Sequence, residues 1–324
     1  VTLLDDILAK LSLEMRIPVI MIAGNHDSPV RISYMSGVIN RLNIHVVGKV
    51  GTEPVGVSLT DDQGSITTFW PLAYTDPETA RCELSNPDIH SHEQAILAQI
   101  DLINKKKNST HKHVIIGHAF VAGSEESDSE RALSVGGSGQ VSASVFDGFD
   151  YVALGHLHRP QQVSPTVRYS GSLLKYSFAE AGHAKSVSIV ELLDESDPII
   201  KTIELPVTRD LVSLTGTFEE LTSNPNHLQH KDAYVEIRLL DAASVLDPMA
   251  RLRAYYPNIL NLRREGGFEG EFVGISVEKR SRTVHELFND FFVDATGKSL
   301  TDDQQQTLAG VIDEADRKLR EVAS

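Results

Sequence analysis

The sequence predicts an α/β fold to which a small α+β domain and a helical tail are appended. Three observations carry the prediction. Short apolar runs three times end in a glycine and then deliver histidine: Val19 to Ala23 before Gly24-Asn25-His26-Asp27, Val114 to Ile116 before Gly117-His118, and Tyr151 to Leu154 before Gly155-His156-Leu157-His158. Such runs read as buried strands, and the glycine lets the chain turn as it leaves the sheet. The residues after each glycine then sit at the carboxyl ends of the strands, where open α/β sheets bind ligands. Helical patterns accompany these strands as far as residue 205, beyond which a short α+β series takes over.

Val1 to Leu13 places Leu3, Leu4, Ile7, Leu8 and Leu11 on one side of an amphipathic helix over 1–14, so the chain is expected to begin in mid-fold. After a strand at 17–23, a helix is expected from Arg31 to Leu42, with Ile32, Met35, Val38, Ile39 and Leu42 at helical spacing. Strands at 44–47, 55–59 and 66–69 come next, the last two joined by the turn Asp61-Asp62-Gln63-Gly64. A helix at 91–104 precedes the polar run Asn104 to Lys112. Gly123 to Gln140, rich in Ser, Glu and Gly, reads as a mobile surface loop over the site. Strands and turns resume from Thr166 to Leu193, with Tyr169-Ser170-Gly171-Ser172 as another strand-to-turn exit.

Past residue 205, strands are expected at 210–216, 233–240 and 272–278, with Glu219-Glu220-Leu221 and Pro248 to Tyr255 as helical segments between them. Thr283 to Ser324 reads as two helices, Val284 to Phe292 and Asp302 to Val322, joined at Gly297. Thr301-Asp302-Asp303-Gln304 supplies a capping box for the second. Leu287, Phe288, Phe291 and Phe292 make the first of these helices unusually apolar. That face must be covered, either by its own domain or by a partner.

Composition narrows the function. With 41% hydrophobic residues in 324, the chain can build a core without covalent staples. Its single cysteine, Cys82, excludes an internal disulfide and a cysteine zinc cage, which fits a reducing, cytoplasmic setting. No apolar stretch approaches the roughly 20 residues of a membrane span, so no membrane association is expected. The formal charge of −15, from 30 basic and 45 acidic residues, argues against a sequence-independent DNA coat. It leaves room for an enzyme that handles DNA through bound cations and a local basic strip. Arg251-Leu252-Arg253, Arg263-Arg264 and Lys279-Arg280-Ser281-Arg282 are such strips, each equally readable as a solvated face.

Neutral imidazole nitrogen and amide oxygen suit a borderline divalent ion such as manganese, so the three glycine turns could converge on one metal centre. Singly the signals are ordinary: Gly24 to Ser28 is a common turn, and Gly117-His118 reads as a capped strand end. The pair His156 and His158 is stronger, because i, i+2 spacing in an extended segment puts both imidazoles on one side. His90, His92, His111 and His113 sit in polar stretches and read as surface histidines.

These motifs resemble the third, fourth and fifth motifs of the calcineurin-like metallophosphoesterases. Together with Tyr169 to Ser172 and Leu205-Pro206-Val207, they resemble the SbcD-type nuclease subunits of that superfamily over nearly the whole chain. The resemblance implies a metallophosphoesterase α/β sandwich at 1–205, a capping domain for DNA ends at 206–281, and a partner-binding tail at 282–324. It implies that Asn25, His118 and His156 ligate one ion of an Mn2+ pair and His158 the other, with Mg2+ as an alternative. His26 is implied as the acid-base or transition-state-stabilising residue beside the scissile phosphate, Asp27 as its orienting group, and Gly171 and Ser172 as a substrate-side turn. An SbcC-type ATPase is the implied partner of Leu287, Phe288, Phe291 and Phe292, and helices flanking Asn25 are implied to pair two nuclease subunits.

The family's opening Asp-x-His and Gly-Asp-x-x-Asp motifs do not occur upstream of Asn25, and Leu173 replaces a usual proline. By that comparison the chain is N-terminally truncated and its second metal set incomplete. A phosphoesterase for small phosphate esters and a non-catalytic SbcC-binding fragment remain open at this point.

Overall fold

A computed structural model describes residues 2–127, 129–130, 139–194, 196–241, 245–264, 284–296 and 298–322. Its strands are β1 (Val19–Ile22), β2 (Ile44–Val47), β3 (Val57–Thr60), β4 (Ile66–Leu72), β5 (Lys112–His118), β6 (Phe120–Val121), β7 (Gln140–Val141) and β8 (Tyr151–Gly155). They continue with β9 (Gln161–Gln162), β10 (Val167–Tyr169), β11 (Ser186–Glu191), β12 (Ile199–Glu204), β13 (Leu211–Gly216), β14 (Tyr234–Leu239) and β15 (Ile259–Arg264). Contacts divide the chain into two units, Val1–Ser213 and Leu214–Ser324.

The first unit is a mixed α/β body around a six-stranded sheet of order β3-β4-β5-β8-β10-β9. Strands β4, β5, β8 and β10 run parallel, and β3 and β9 close the two edges antiparallel. Ile115, Val152, Val121, Val141 and Tyr169 are wholly buried in its main core. Each such aliphatic side chain contributes roughly 1.5–3 kcal/mol by leaving water. The β3–β4 hairpin turns as expected: the Asp61 carboxylate accepts from the amides of Gln63 and Ser65, and Gly64 takes φ +87°.

Parallel pairing is what assembles the site. Because β5 and β8 share direction and register, His118 lies opposite Gly155 at the carboxyl end. β1 pairs with β2, and its exit is tied to the same rim by the Tyr74 amide, which donates to the Ala23 carbonyl at 2.8 Å. Tyr169 fixes the chain just past His118, its hydroxyl donating to the Ala119 carbonyl at 2.8 Å and accepting from the Val121 amide at 2.9 Å.

Two expectations need correction. The helix expected from Arg31 to Leu42 is instead three short turns, Pro29–Ile32, Ser36–Ile39 and Asn40–Leu42, because Met35 adopts φ +58° and interrupts the spiral. The periodic apolar spacing carries no signal for that break. The histidines read as surface groups are also mixed. His92 and His113 are buried, the first bonded to the Tyr74 hydroxyl at 3.2 Å and the second held between the Trp70 indole N–H and the Asn108 carbonyl. Both lie next to polar residues in sequence, which masks their inward orientation.

The second unit holds a three-stranded sheet, β13-β14-β15. Helices Phe218–Ser223 and Pro248–Arg253 fall where the sequence puts them, and Thr217 and Glu220 form a capping box on the first. Strand β15 is an addition to the expected elements, and Arg263 and Arg264 stand on it. The 272–278 strand, the Lys279 to Arg282 strip and Gly297 lie outside the described residues. The tail helices are Val284–Thr296 and Asp302–Val322, and Thr301 and Gln304 cap the second reciprocally as predicted. Phe288 is exposed and Phe292 half-buried, whereas the side chains of Leu287 and Phe291 lie outside the described set.

Candidate functional site

Asn25, His118 and His156 come together at the carboxyl ends of β1, β5 and β8. The His118 Nε2–H donates to the Asn25 Oδ1 across 2.9 Å, and the His118 and His156 rings stand edge-on with centroids 5.3 Å apart. A Cβ at position 24 would lie 2.8 Å from the His118 ring, so only glycine lets the β1 exit pass this close. The Asp27 carboxylate accepts from the Gly24 amide at 2.8 Å, closing the loop that presents Asn25. His26 stands exposed on that loop.

His156 is the most constrained member. Its φ of +108° is one that residues with a Cβ rarely adopt, and such strain is of order 1–3 kcal/mol. Its Nε2 is buried and has no hydrogen-bond partner. A lone pair or N–H stranded in this way costs about 1–3 kcal/mol, and native structures keep such groups where something binds them. Burial, reinforced by the neighbouring imidazoles, pushes both His118 and His156 down to a pKa of about 4. Both are therefore neutral near pH 7, the state in which imidazole ligates a metal.

His158 sits in a different setting. Its Nδ1 is 2.9 Å from Glu180 Oε1 and 3.0 Å from Ser129 Oγ, and its backbone N–H donates to the Glu130 carboxylate. The other Glu180 oxygen accepts from Lys185 Nζ at 2.6 Å. Glu180 is fully buried and Lys185 nearly so. Burial alone would raise the Glu180 pKa, but hydrogen bonds from Lys185, Ser129 and His158 outweigh it and hold the carboxyl down at about 2. Lys185 also donates to the His158 carbonyl and to Ser172 Oγ, both at 2.8 Å. At φ +80°, Gly171 brings its backbone close to the His158 carbonyl, where a Cβ would meet that oxygen at 2.8 Å. Gly171 and Ser172 are thus tied to the His158 strand exit.

Sequence reasoning places every one of these histidines but misses Ser129, Glu130, Glu180 and Lys185. Ser129 and Glu130 belong to the polar 123–140 segment, whose composition marks a loop without marking its two contacts. Glu180 and Lys185 carry no motif at all. Only the fold brings them to His158.

The donor set of Asn25, His118 and His156, two neutral imidazoles and one amide oxygen with an unmet buried nitrogen among them, fits a borderline divalent cation. Among the described residues, no three His, Cys, Asp or Glu side chains form a metal-holding group. The described residues thus offer one partial ligand set plus the Nε2 of His158. Among the described residues, no helix is long and apolar enough to cross a membrane.

A family model for the calcineurin-like phosphoesterases matches residues 2–160, the span that contains all four candidate ligands. A second model, SbcD_C, described as the type 5 capsule protein repressor C-terminal domain, matches residues 207–296. With strand-end histidines of this geometry in the first match and the SbcD C-terminal domain in the second, the chain belongs to the calcineurin-like metallophosphoesterases as an SbcD-type nuclease.

Proposed function

We propose that this chain is the DNA-cleaving subunit of a complex with an SbcC-type ATPase, hydrolysing phosphodiester bonds at DNA ends and hairpins with Mn2+ in the cytoplasm. The observation that carries the reading is the partnerless buried Nε2 of His156 beside Asn25 and His118. Asn25, His118 and His156 would hold one divalent ion and His158 the other. Such ions, held by these residues, would supply charge neutralisation at the phosphate and activation of a water.

The chain's own groups supply the rest. His26, exposed on the loop beside Asn25, is assigned the acid-base or transition-state-stabilising role at the departing oxygen as the P–O bond breaks. Asp27 acts through the Gly24 amide, holding the loop that carries both Asn25 and His26. The Gly171-Ser172 turn, braced by Lys185, forms a wall for the substrate strand. Leu287, Phe288, Phe291 and Phe292 are assigned to the ATPase, the 206–281 segment to seating DNA ends, and the helices around Asn25 to pairing with a second copy.

Manganese titration of the purified chain, paired with cleavage of hairpin-ended duplex DNA and of bis(p-nitrophenyl) phosphate, tests the reading. Tight binding that is lost in His118→Ala, with preference for the duplex, supports it. Cleavage of the small diester with indifference to DNA would move the protein to a small-substrate phosphoesterase.

A further inference from the structure

Glu180 lies fully buried, carries no family motif, and gives one oxygen to Lys185 and the other to the ring of His158. A buried carboxylate that already receives an ammonium is ionised and can only accept. The proton between Glu180 Oε1 and His158 Nδ1 therefore belongs to the imidazole. Ser129 Oγ, which donates to the same carboxylate oxygen, reinforces the assignment. With Nδ1 giving its hydrogen to Glu180, the ring nitrogen left to face a cation is Nε2, on the far side of the ring from the carboxylate. Lys185 adds a second restraint, because its bond to the His158 carbonyl holds the backbone of the residue whose ring Glu180 holds.

We propose that Glu180, backed by Lys185, is the positioning residue that fixes the tautomer and ring orientation of His158 so that its Nε2 is ready for a divalent cation. The inference rests on the reading of His158 as a metal ligand. Carboxylates placed on the far nitrogen of a ligating histidine raise its basicity and lock its orientation, and their loss typically costs 10- to 100-fold in metal affinity. The arrangement also explains why a lysine is buried here: it neutralises a carboxylate that would otherwise attract a cation directly.

The test uses the full chain with 15N-labelled histidine. In the metal-free protein, two-bond 15N–1H spectra should show His158 as the Nδ1–H tautomer. Glu180→Ala alone strands the Lys185 charge and invites unfolding, so the informative variant is the double change Glu180→Leu with Lys185→Met, which removes both charges together. Its His158 should shift toward the Nε2–H tautomer, and its weaker manganese-binding step should lose about 10- to 100-fold in affinity. Glu180→Gln combined with Lys185→Met, in which the amide oxygen is free of the ammonium and can accept from Nδ1–H, should restore the tautomer.

An Nε2–H tautomer in the unaltered protein, or a folded double variant with unchanged tautomer and affinity, would overturn the proposal. His158→Ala separates the ligand role from the positioning role. If it leaves manganese binding intact, the ligand role of His158 fails. If it weakens binding while the double variant does not, the positioning role of Glu180 alone fails.

Discussion

Two histidine clusters stand at the ends of β5 and β8, and they differ in how completely their polar atoms are used. Around His158 every named group is matched: Nδ1 with Glu180 and Ser129, the amide with Glu130, the carbonyl with Lys185 and Ser172, and Lys185 in turn with Glu180. Around His156 the opposite holds, with a positive φ, a partnerless buried nitrogen and two imidazoles kept neutral by burial. One cluster is a finished network that stabilises the fold. The other stores free energy that a cation can recover. The His158 side should therefore dominate the stability of the metal-free chain, and the His156 side the stability gained when a cation binds.

The largest effect tests the finished side. Glu180→Ala leaves the buried Lys185 ammonium unpaired, and removing one partner of a buried ion pair costs about 3–5 kcal/mol. Urea unfolding of the metal-free chain reads this directly. The double change to Leu and Met should recover most of the loss. A cost below about 1 kcal/mol for the single variant would erase the contrast, placing the pair among surface ion pairs.

The next effect tests the unfinished side. Manganese at 100 times its dissociation constant should stabilise the unaltered chain by about 2.7 kcal/mol. His156→Ala should lose that gain, since the removed nitrogen has no structural partner to begin with. A variant that keeps the full metal-dependent gain would show that the stranded nitrogen is not where the ion sits.

Acid sharpens the comparison further. His118 and His156 have folded pKa values near 4, below the usual 6.5, so between those values the unfolded chain binds more protons than the folded one. Stability in the absence of metal should thus be full above pH 6.5 and fall as pH drops toward 4. His118→Ala and His156→Ala should each flatten that slope, measured by urea midpoints across the window. Glu180, held down at about 2 from the usual 4.5, stays ionised in the folded chain, so it adds to the slope only at the acid end of the window, where the unfolded carboxyl begins to take up a proton.

The same division governs what can be read from the sequence. The strand-glycine-histidine pattern is local: a buried run specifies a strand, glycine allows the turn, and parallel pairing of β5 with β8 brings the turns together. Asn25, His118, His156 and His158 are legible for that reason. Glu180 and Lys185 are not, because a buried ion pair between a short turn and a strand start leaves no periodicity, and its meaning depends on β8 passing beside it. His92 misleads because Ser91 and Glu93 flank it, and His113 because Lys112 precedes it, although their rings face Tyr74 and Trp70. Met35 shows the reverse failure, where helical spacing persists through a residue whose backbone leaves the helix.

The smallest effect probes the seam where the finished network meets the substrate-side turn. Ser172 Oγ accepts from Lys185 at 2.8 Å and donates to the Leu174 carbonyl at 2.7 Å. Ser172→Ala removes one acceptor from an ammonium that keeps Glu180 and the His158 carbonyl, so the cost should be about 1 kcal/mol. Manganese affinity should hold, because neither the Glu180–His158 bond nor the Asn25 cluster involves this hydroxyl. Turnover on duplex DNA should fall more than turnover on the small diester, since a strand resting on the turn needs its shape and a compact substrate does not. Equal losses on both substrates would place Ser172 with the structural network and leave the His156 side to do the recognition alone.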